Sequence, residues 1–436
     1  MSEPRREWVY PLSVKGRYQR IHRIVGILLQ AFLFVTPWLR LDGRQLVLFD
    51  LAGRRAWIGR SVFTPEDTIF IVLFVLISTF SLFFFTALWG RLWCGYACPQ
   101  TVFLEEWIRP IDRWIEGERG VRMARDRKPL NFDKAWRKAA KWTAFAVLAG
   151  AVSLTFVSWF VDARVLWTGG AGAGAYGLVA FLGGVMFLDF AWFREQFCNY
   201  LCPYARFQSA LMDPGSQVVA YDVFLGEPRQ TRGAGSKPEL TGACIDCKKC
   251  VAVCPQGIDV REGLQLECIA CARCVDACTD VMGRLGEQSL IRYKPMENRP
   301  MFRPRTVAYG ALLSLLTAAG VLLLVERGDL DASIVRMPGS PYTVDTDGWV
   351  RNTYLLRVSN DSGKPVDVQV AALELPAGAQ FTPPADLRVA PAEDATVPVI
   401  IRIPGGNNGP RTLPVTLEVT SGDDRVRVPT TFKNGS

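Results

Sequence analysis

Apolar residues are not spread evenly along this chain. They gather into five runs long enough to cross a bilayer, about 20 residues each. The first, IVGILLQAFLFVTPWL at 24–39, follows a basic stretch and ends in Trp38 and Arg40. No small-residue cleavage site follows it, which marks a retained helix rather than a secretory leader. The second run covers 67–89, the third 140–161, the fourth 175–193 and the fifth 306–325. Residues 41–66 alternate short apolar runs with Asp42-Gly43, Gly53, Gly59 and Pro65, the pattern of a small hairpin lying at a membrane surface. The segment GAGAGAYG at 170–177 follows no predicted strand, so it reads as a connector or a close helix contact rather than a dinucleotide loop.

From about residue 333 the period changes. TYLLRVSN, VDVQVAALEL, TVPVIIRIP and LPVTLEVTSG are alternating or β-branched runs separated by Asn, Gly, Pro and Asp. They predict an immunoglobulin-like β-sandwich over 333–436. It holds no Cys and no His, so docking is its expected role. Charge orients the rest. The N-terminus and the loops after the second and fourth runs are rich in Lys and Arg, whereas the connector after the third carries only Arg164. Positive loops stay in the cytoplasm, so this pattern predicts a membrane protein with its N-terminus inside and its C-terminal domain outside. The basic loop 109–138 is expected to orient the chain and touch lipid headgroups, not nucleic acid.

Composition adds a sharper constraint. The 436 residues include 12 Cys and 1 His, with a net charge of +8. A single His argues against a transmembrane b-haem carrier, and His22, in the basic run RYQRIHR, reads as an interfacial residue. Eight of the cysteines form two copies of C-x2-C-x2-C-x3-C at 244–254 and 268–278. That duplicated order belongs to bacterial two-cluster ferredoxins, in which the fourth Cys of each run ligates the other cluster. One [4Fe–4S] cluster is therefore assigned to Cys244, Cys247, Cys250 and Cys278, and the other to Cys268, Cys271, Cys274 and Cys254. Zinc would use paired C-x2-C units and fits this order poorly. Thr279 stands where the first copy has Pro255, loosening a turn without removing a ligand. Such clusters belong in a reducing compartment, which agrees with the charge pattern.

The other four cysteines form two matched motifs, CGYACP (Cys94, Cys98) and CNYLCP (Cys198, Cys202), each just after an apolar run. Thiols at i and i+4 lie on one helix face. A duplicated helix-pair unit would bring all four together at the cytoplasmic rim. Four convergent thiols could hold a soft metal such as copper(I), carry a further cluster or act as a redox dithiol; buried Cys can also be a small apolar filler. Asp189 is an acid within a span, a functional candidate or a partner for Arg194.

The predicted plan is thus a multidomain membrane protein: an N-terminal segment 1–20, spans one to four with the two CxxxCP motifs over 21–204, a ferredoxin domain of the 2[4Fe–4S] type with its flanks over 205–304, a fifth span over 305–326 and the sandwich. WCGYACPQTVFLEE, FREQFCNYLCPYARFQSAL, the double cluster motif, LIRY and the β-rich tail together resemble the CcoG/FixG (RdxA) family, accessory proteins for assembly of cbb3-type cytochrome c oxidase. The resemblance spans nearly the whole chain. It implies a bacterial inner-membrane polyferredoxin, its C-terminal domain in the periplasm, that reduces copper(II) to copper(I) for the oxidase, working with oxidase assembly factors or copper chaperones and transporters. It assigns the copper role to Cys94, Cys98, Cys198 and Cys202. The NapH-like and NosR-like membrane ferredoxins share CxxxCP pairs but serve quinone-linked chains, and the β tail favours CcoG over them. A copper chaperone or assembly scaffold without catalytic activity is the other rival. The sequence names no electron donor.

Overall fold

The computed structural model describes every residue except 1–7, 60, 65–66, 230–241, 298, 301, 329, 363, 385–386, 392, 405–409, 423 and 435–436. Five helices are long and apolar enough to span a membrane: Arg17–Trp38, Thr68–Trp89, Phe132–Val157, Ala173–Phe193 and Pro304–Glu326. They are referred to as spans 1 to 5. Spans 2 and 5 leave most of their apolar side chains exposed, Phe74, Val307, Leu315 and Val325 among them. A helix solvated by lipid has that surface, since its backbone is satisfied internally and its side chains face hydrocarbon. Span 3 begins eight residues before the apolar run does. Asn131 caps it, its side chain accepting from the Lys134 N–H at 2.8 Å, and the extra turns carry Arg137 and Lys138.

The chain divides into two units, Met1–Pro37 with Val72–Ala318, and Trp38–Ile71 with Ala319–Ser436. In the first unit, Phe103, Leu104 and Ile108 pack with Phe145, Leu148 and Val152 of span 3 and with Phe190 of span 4. The segment between spans 4 and 5 forms a domain of its own. Its ends are tied by an antiparallel pair, Gln217–Tyr221 against Ile291–Pro295, with Tyr221 opposite Ile291. Val219, Val260, Val275, Leu290 and Ile291 make its small core.

The second unit is the sandwich. One sheet runs Gln380–Thr382, Asp394–Pro404, Trp349–Asn360, Leu330–Arg336; the other runs Leu387–Val389, Val366–Glu374, Thr412–Ser421, Asp424–Lys433. Alternate residues point inward, so Tyr354, Leu356 and Val358 of one sheet face Val415, Leu417 and Val419 of the other. The predicted hairpin region joins this unit as a three-stranded sheet, Val47–Asp50, Arg55–Ile58 and Ser61–Phe63. Arg327, just past span 5, holds it to the sandwich by pairing with Asp67 at 2.7 Å and Asp361 at 3.2 Å.

Candidate metal centre

The two halves of the cysteine-rich domain repeat an unusual backbone. Asp246 and Lys248 flank Cys247, and Ala270 and Ala272 flank Cys271; all four have φ near +50°. A left-handed residue other than Gly costs roughly 1–2 kcal/mol, and two matched pairs of them indicate a functional requirement. Right- and left-handed residues in succession turn backbone N–H groups into a concave nest, a form that recurs around iron–sulfur sites. Each nest faces a cavity with about 380 Å³ of atom-free space. Cys254, Cys268, Cys271 and Cys274 line one; Cys244, Cys247, Cys250 and Cys278 line the other, and Cys250 touches both.

These cavities fit a multi-iron cluster better than a single ion. Among the described residues, no three His, Cys, Asp or Glu side chains gather closely enough to share one metal. Sulfurs spread around a cavity instead suit a cube that offers one iron to each. Burial pushes the thiols of Cys250 and Cys271 up to about 12 and raises Cys254, Cys268 and Cys274 as well. Thiolates there need the charge of bound iron, which couples metal loading to the domain's order. Thr279 does more than loosen a turn. Its hydroxyl donates to the Val275 carbonyl at 2.8 Å and the helix Arg273–Gly283 runs on, whereas the corresponding Lys249–Ala252 stops before Pro255.

The two CxxxCP motifs also share one local form, but it is not a continuous helix. Cys94 lies in Leu92–Tyr96 and Cys198 in the π-helical turn Phe197–Leu201. Cys98 and Cys202 are then extended N-caps of new helices that open with Pro99 and Pro203. Proline keeps its preceding residue out of the helical region, so each thiol pair straddles a break. The halves reach into one another. The Cys94 thiol lies 3.0 Å from Gln208 Oε1, and Gln100 Nε2 donates to Asp189 Oδ1 and to the Arg194 carbonyl, both at 3.0 Å. Burial, with the neighbouring thiols Cys98 and Cys202, holds Cys94 up at about 12; Cys198 rises equally through burial and the other three cysteines. Gln208, on the helix after Cys202, thus ties that half to Cys94, and among the described residues the four thiols do not close on one ion.

Several residues take places the sequence reading did not give them. His22 is buried, not interfacial: its ring stacks on Tyr96 with centroids 4.0 Å apart, and Nε2 lies 3.1 Å from the Cys271 carbonyl. Asp189 is held by Gln100, while Arg194 forks onto Asp112 at 2.8 and 3.1 Å. The basic loop folds inward. Asp112, fully buried, also accepts from Arg122 at 2.8 Å, and Glu116 pairs with Lys141 at 2.8 Å and Lys138 at 3.1 Å. Arg109 donates to the Pro255 carbonyl at 2.8 Å, and Arg273 pairs with Glu105 at 2.6 Å. Acids spaced among the arginines (Glu105, Asp112, Glu116) were the available signal that part of this loop is paired internally.

Comparison with known proteins points the same way. Residues 193–296 match a 4Fe-4S dicluster domain, residues 71–121 a 4Fe-4S binding domain, and residues 320–434 the IG-like fold at the C-terminal of FixG. Protein RdxB of Cereibacter sphaeroides is 36% identical over 394 residues, covering 84% of this chain and 82% of that protein. Nitrogen fixation protein FixG of Rhizobium meliloti is 32% identical over 405 residues, covering 82% and 77%. Protein RdxA of Cereibacter sphaeroides is 33% identical over 391 residues, covering 84% and 82%. The crystal structure of a FixG-related protein from Vibrio parahaemolyticus covers 25% of this chain and 100% of its own, at 17% identity and a TM-score of 0.22, too low to bear on the fold.

Proposed function

The chain belongs to the CcoG/FixG/RdxA family of membrane iron–sulfur proteins, and from that premise we propose that it is a copper(II) reductase supplying copper(I) for assembly of a cbb3-type oxidase. Two [4Fe–4S] clusters would be held by Cys244, Cys247, Cys250 and Cys278 and by Cys254, Cys268, Cys271 and Cys274, and would supply single electrons. Copper is the substrate. What carries the reading is a second set of thiols, Cys94, Cys98, Cys198 and Cys202, outside the two C-x2-C-x2-C-x3-C runs and drawn from two matched halves that meet where the Cys94 thiol lies 3.0 Å from Gln208 Oε1.

The chain's own part follows from its chemistry. Cys94, Cys98, Cys198 and Cys202 are the thiols that take the ion. Thiolate sulfur favours copper(I) over copper(II), so the ligands bias the reduction before any electron arrives. Binding must release thiol protons, and the buried setting makes a thiolate costly without a cation beside it. Gln208 against Cys94, and Gln100 between Asp189 and Arg194, fix the two halves at this centre. By the charge rule, residues 205–304 lie on the cytoplasmic side and the sandwich on the periplasmic side.

The test uses purified, anaerobically reduced protein given copper(II), with copper(I) followed by a chelating dye beside the cluster absorbance. Cys98→Ala with Cys202→Ala is expected to abolish copper(I) formation and leave the cluster spectrum unchanged. Activity that survives the double substitution places the copper site elsewhere. A quinone-linked relay is the second reading. It is favoured by a cavity with about 590 Å³ of atom-free space, lined by Arg91, Ser209, Met212, Leu266 and the cluster cysteine Cys268. Clusters that are reduced by a quinol but not oxidised by copper(II) would decide for it.

A further inference from the structure

The two cysteine sets are not equivalent in their surroundings. A Cβ on Gly95, the residue between Cys94 and Tyr96, would lie 2.5 Å from the Ile269 carbonyl oxygen and 3.1 Å from both Cα and N of Cys271. No side chain fits there, so the CxxxCP backbone rests directly on the loop of the second cysteine set. Three further ties hold the contact. His22 bridges Tyr96 and the Cys271 carbonyl. Tyr293 donates to the Ala270 carbonyl at 2.5 Å and lies 3.4 Å, oxygen to oxygen, from Tyr96. Arg273, beside that loop, pairs with Glu105, and Arg109 donates to the Pro255 carbonyl next to Cys254, so both fasten this cysteine set to the segment after Cys98.

The other set faces outward. Cys247 is exposed, and the charged residues around it pair within their own domain: Lys249 with Asp280, and Arg261 with Asp246 and Asp259.

Building on the reductase reading, we propose that Gly95 against the Ile269–Cys271 backbone, clamped by His22 and Tyr96, is the junction joining the ferredoxin domain to the Cys94 and Cys98 thiols. The chain thereby fixes a direction. Electrons arrive on the Cys244, Cys247, Cys250 and Cys278 side and leave on the Cys271 side. One electron crosses for each copper(II) reduced to copper(I), with no bond made and no proton carried across. A low-potential reductant, dithionite in the test, is oxidised at the outer set.

The experiment is a redox titration of the whole protein followed by electron paramagnetic resonance. Cys247→Ala removes the outer signal and so identifies the one that belongs to Cys271. In Gly95→Ala that inner signal is expected to change in shape or midpoint potential, while the outer signal and the iron content stay as in wild type. Its oxidation by copper(II) should slow on the order of tenfold or more, as for other sub-ångström misplacements. If Gly95→Ala fails to load iron, His22→Phe serves instead, because it keeps the ring stacked on Tyr96 and loses the bond to Cys271. A change confined to the outer signal, or no change in either, overturns the junction. If wild-type clusters never pass electrons to copper, the reductase reading fails, and the spectral comparison still judges the junction by itself.

Discussion

Asp112→Asn is the most demanding single test of how the first unit is held together. Asp112 is fully buried and accepts a two-pronged bond from Arg194 and a further bond from Arg122 at 2.8 Å. Burial alone would raise its carboxyl, but the Arg194 and Arg122 guanidiniums outweigh that and hold it below the usual carboxylate range. The amide keeps the shape and removes the charge, leaving buried Arg194 without its carboxylate and Arg122 with Glu116 alone, 3.6 Å away. Breaking a buried pair from one side costs about 3–5 kcal/mol. At about 2–4 °C per kcal/mol for a unit of this size, the unfolding midpoint in detergent should fall on the order of 10 °C. Asp133→Asn is the control. Asp133 is more than half exposed and pairs with Arg137 one helical turn away, an arrangement that contributes a few tenths of a kcal/mol. Arg194 also offers its carbonyl to Gln100, so Asp112→Asn should quicken maleimide labelling of Cys198 and Cys202. Equal midpoints for the two variants would mean that the network is solvated and does not clamp the centre.

Two predictions concern the second unit. Arg327→Met leaves Asp67 and Asp361 facing each other and removes the guanidinium stacked 4.7 Å above Phe63. A loss of about 3 kcal/mol follows, read as faster hydrogen exchange in Leu330–Arg336 and Ser61–Phe63 of the full-length protein. The Asp361 carboxyl is raised to about 6 by burial, with Arg327 opposing and Asp67 adding to the rise. From pH 4 to pH 6 the folded state therefore binds more protons than the unfolded one, and this group makes the unit less stable as pH rises through that window. Asp361→Asn should flatten that slope in thermal unfolding between pH 4 and pH 7, and an unchanged slope would assign it to another group.

The elements that could be read from the sequence are those set by short-range pattern. Spans come from runs of apolar residues and the sandwich strands from alternation, because lipid and core select those periods locally. The cluster loops come from Cys spacing, because one cube fixes the distance between neighbouring ligands. What escaped depends on residues far apart in the chain. His22 and Cys271 are 249 positions apart, and nothing in RYQRIHR distinguishes an interfacial ring from one stacked on Tyr96. Arg109 and Lys138 looked like surface charge until Glu105 and Glu116 were seen to face them. The thiol pairs were expected along one helix face, and Pro99 and Pro203 were the local sign that each helix breaks.

Single-turnover oxidation of the fully reduced protein bears most directly on the central claim that buried sulfur-ligated iron feeds a separate thiol centre. Mixed anaerobically with excess copper(II), each molecule should lose about two electrons from its clusters and yield about two copper(I), with both signals following one time course. Clusters that stay reduced while copper(I) accumulates, or copper(I) formed as fast by protein stripped of iron, would contradict it.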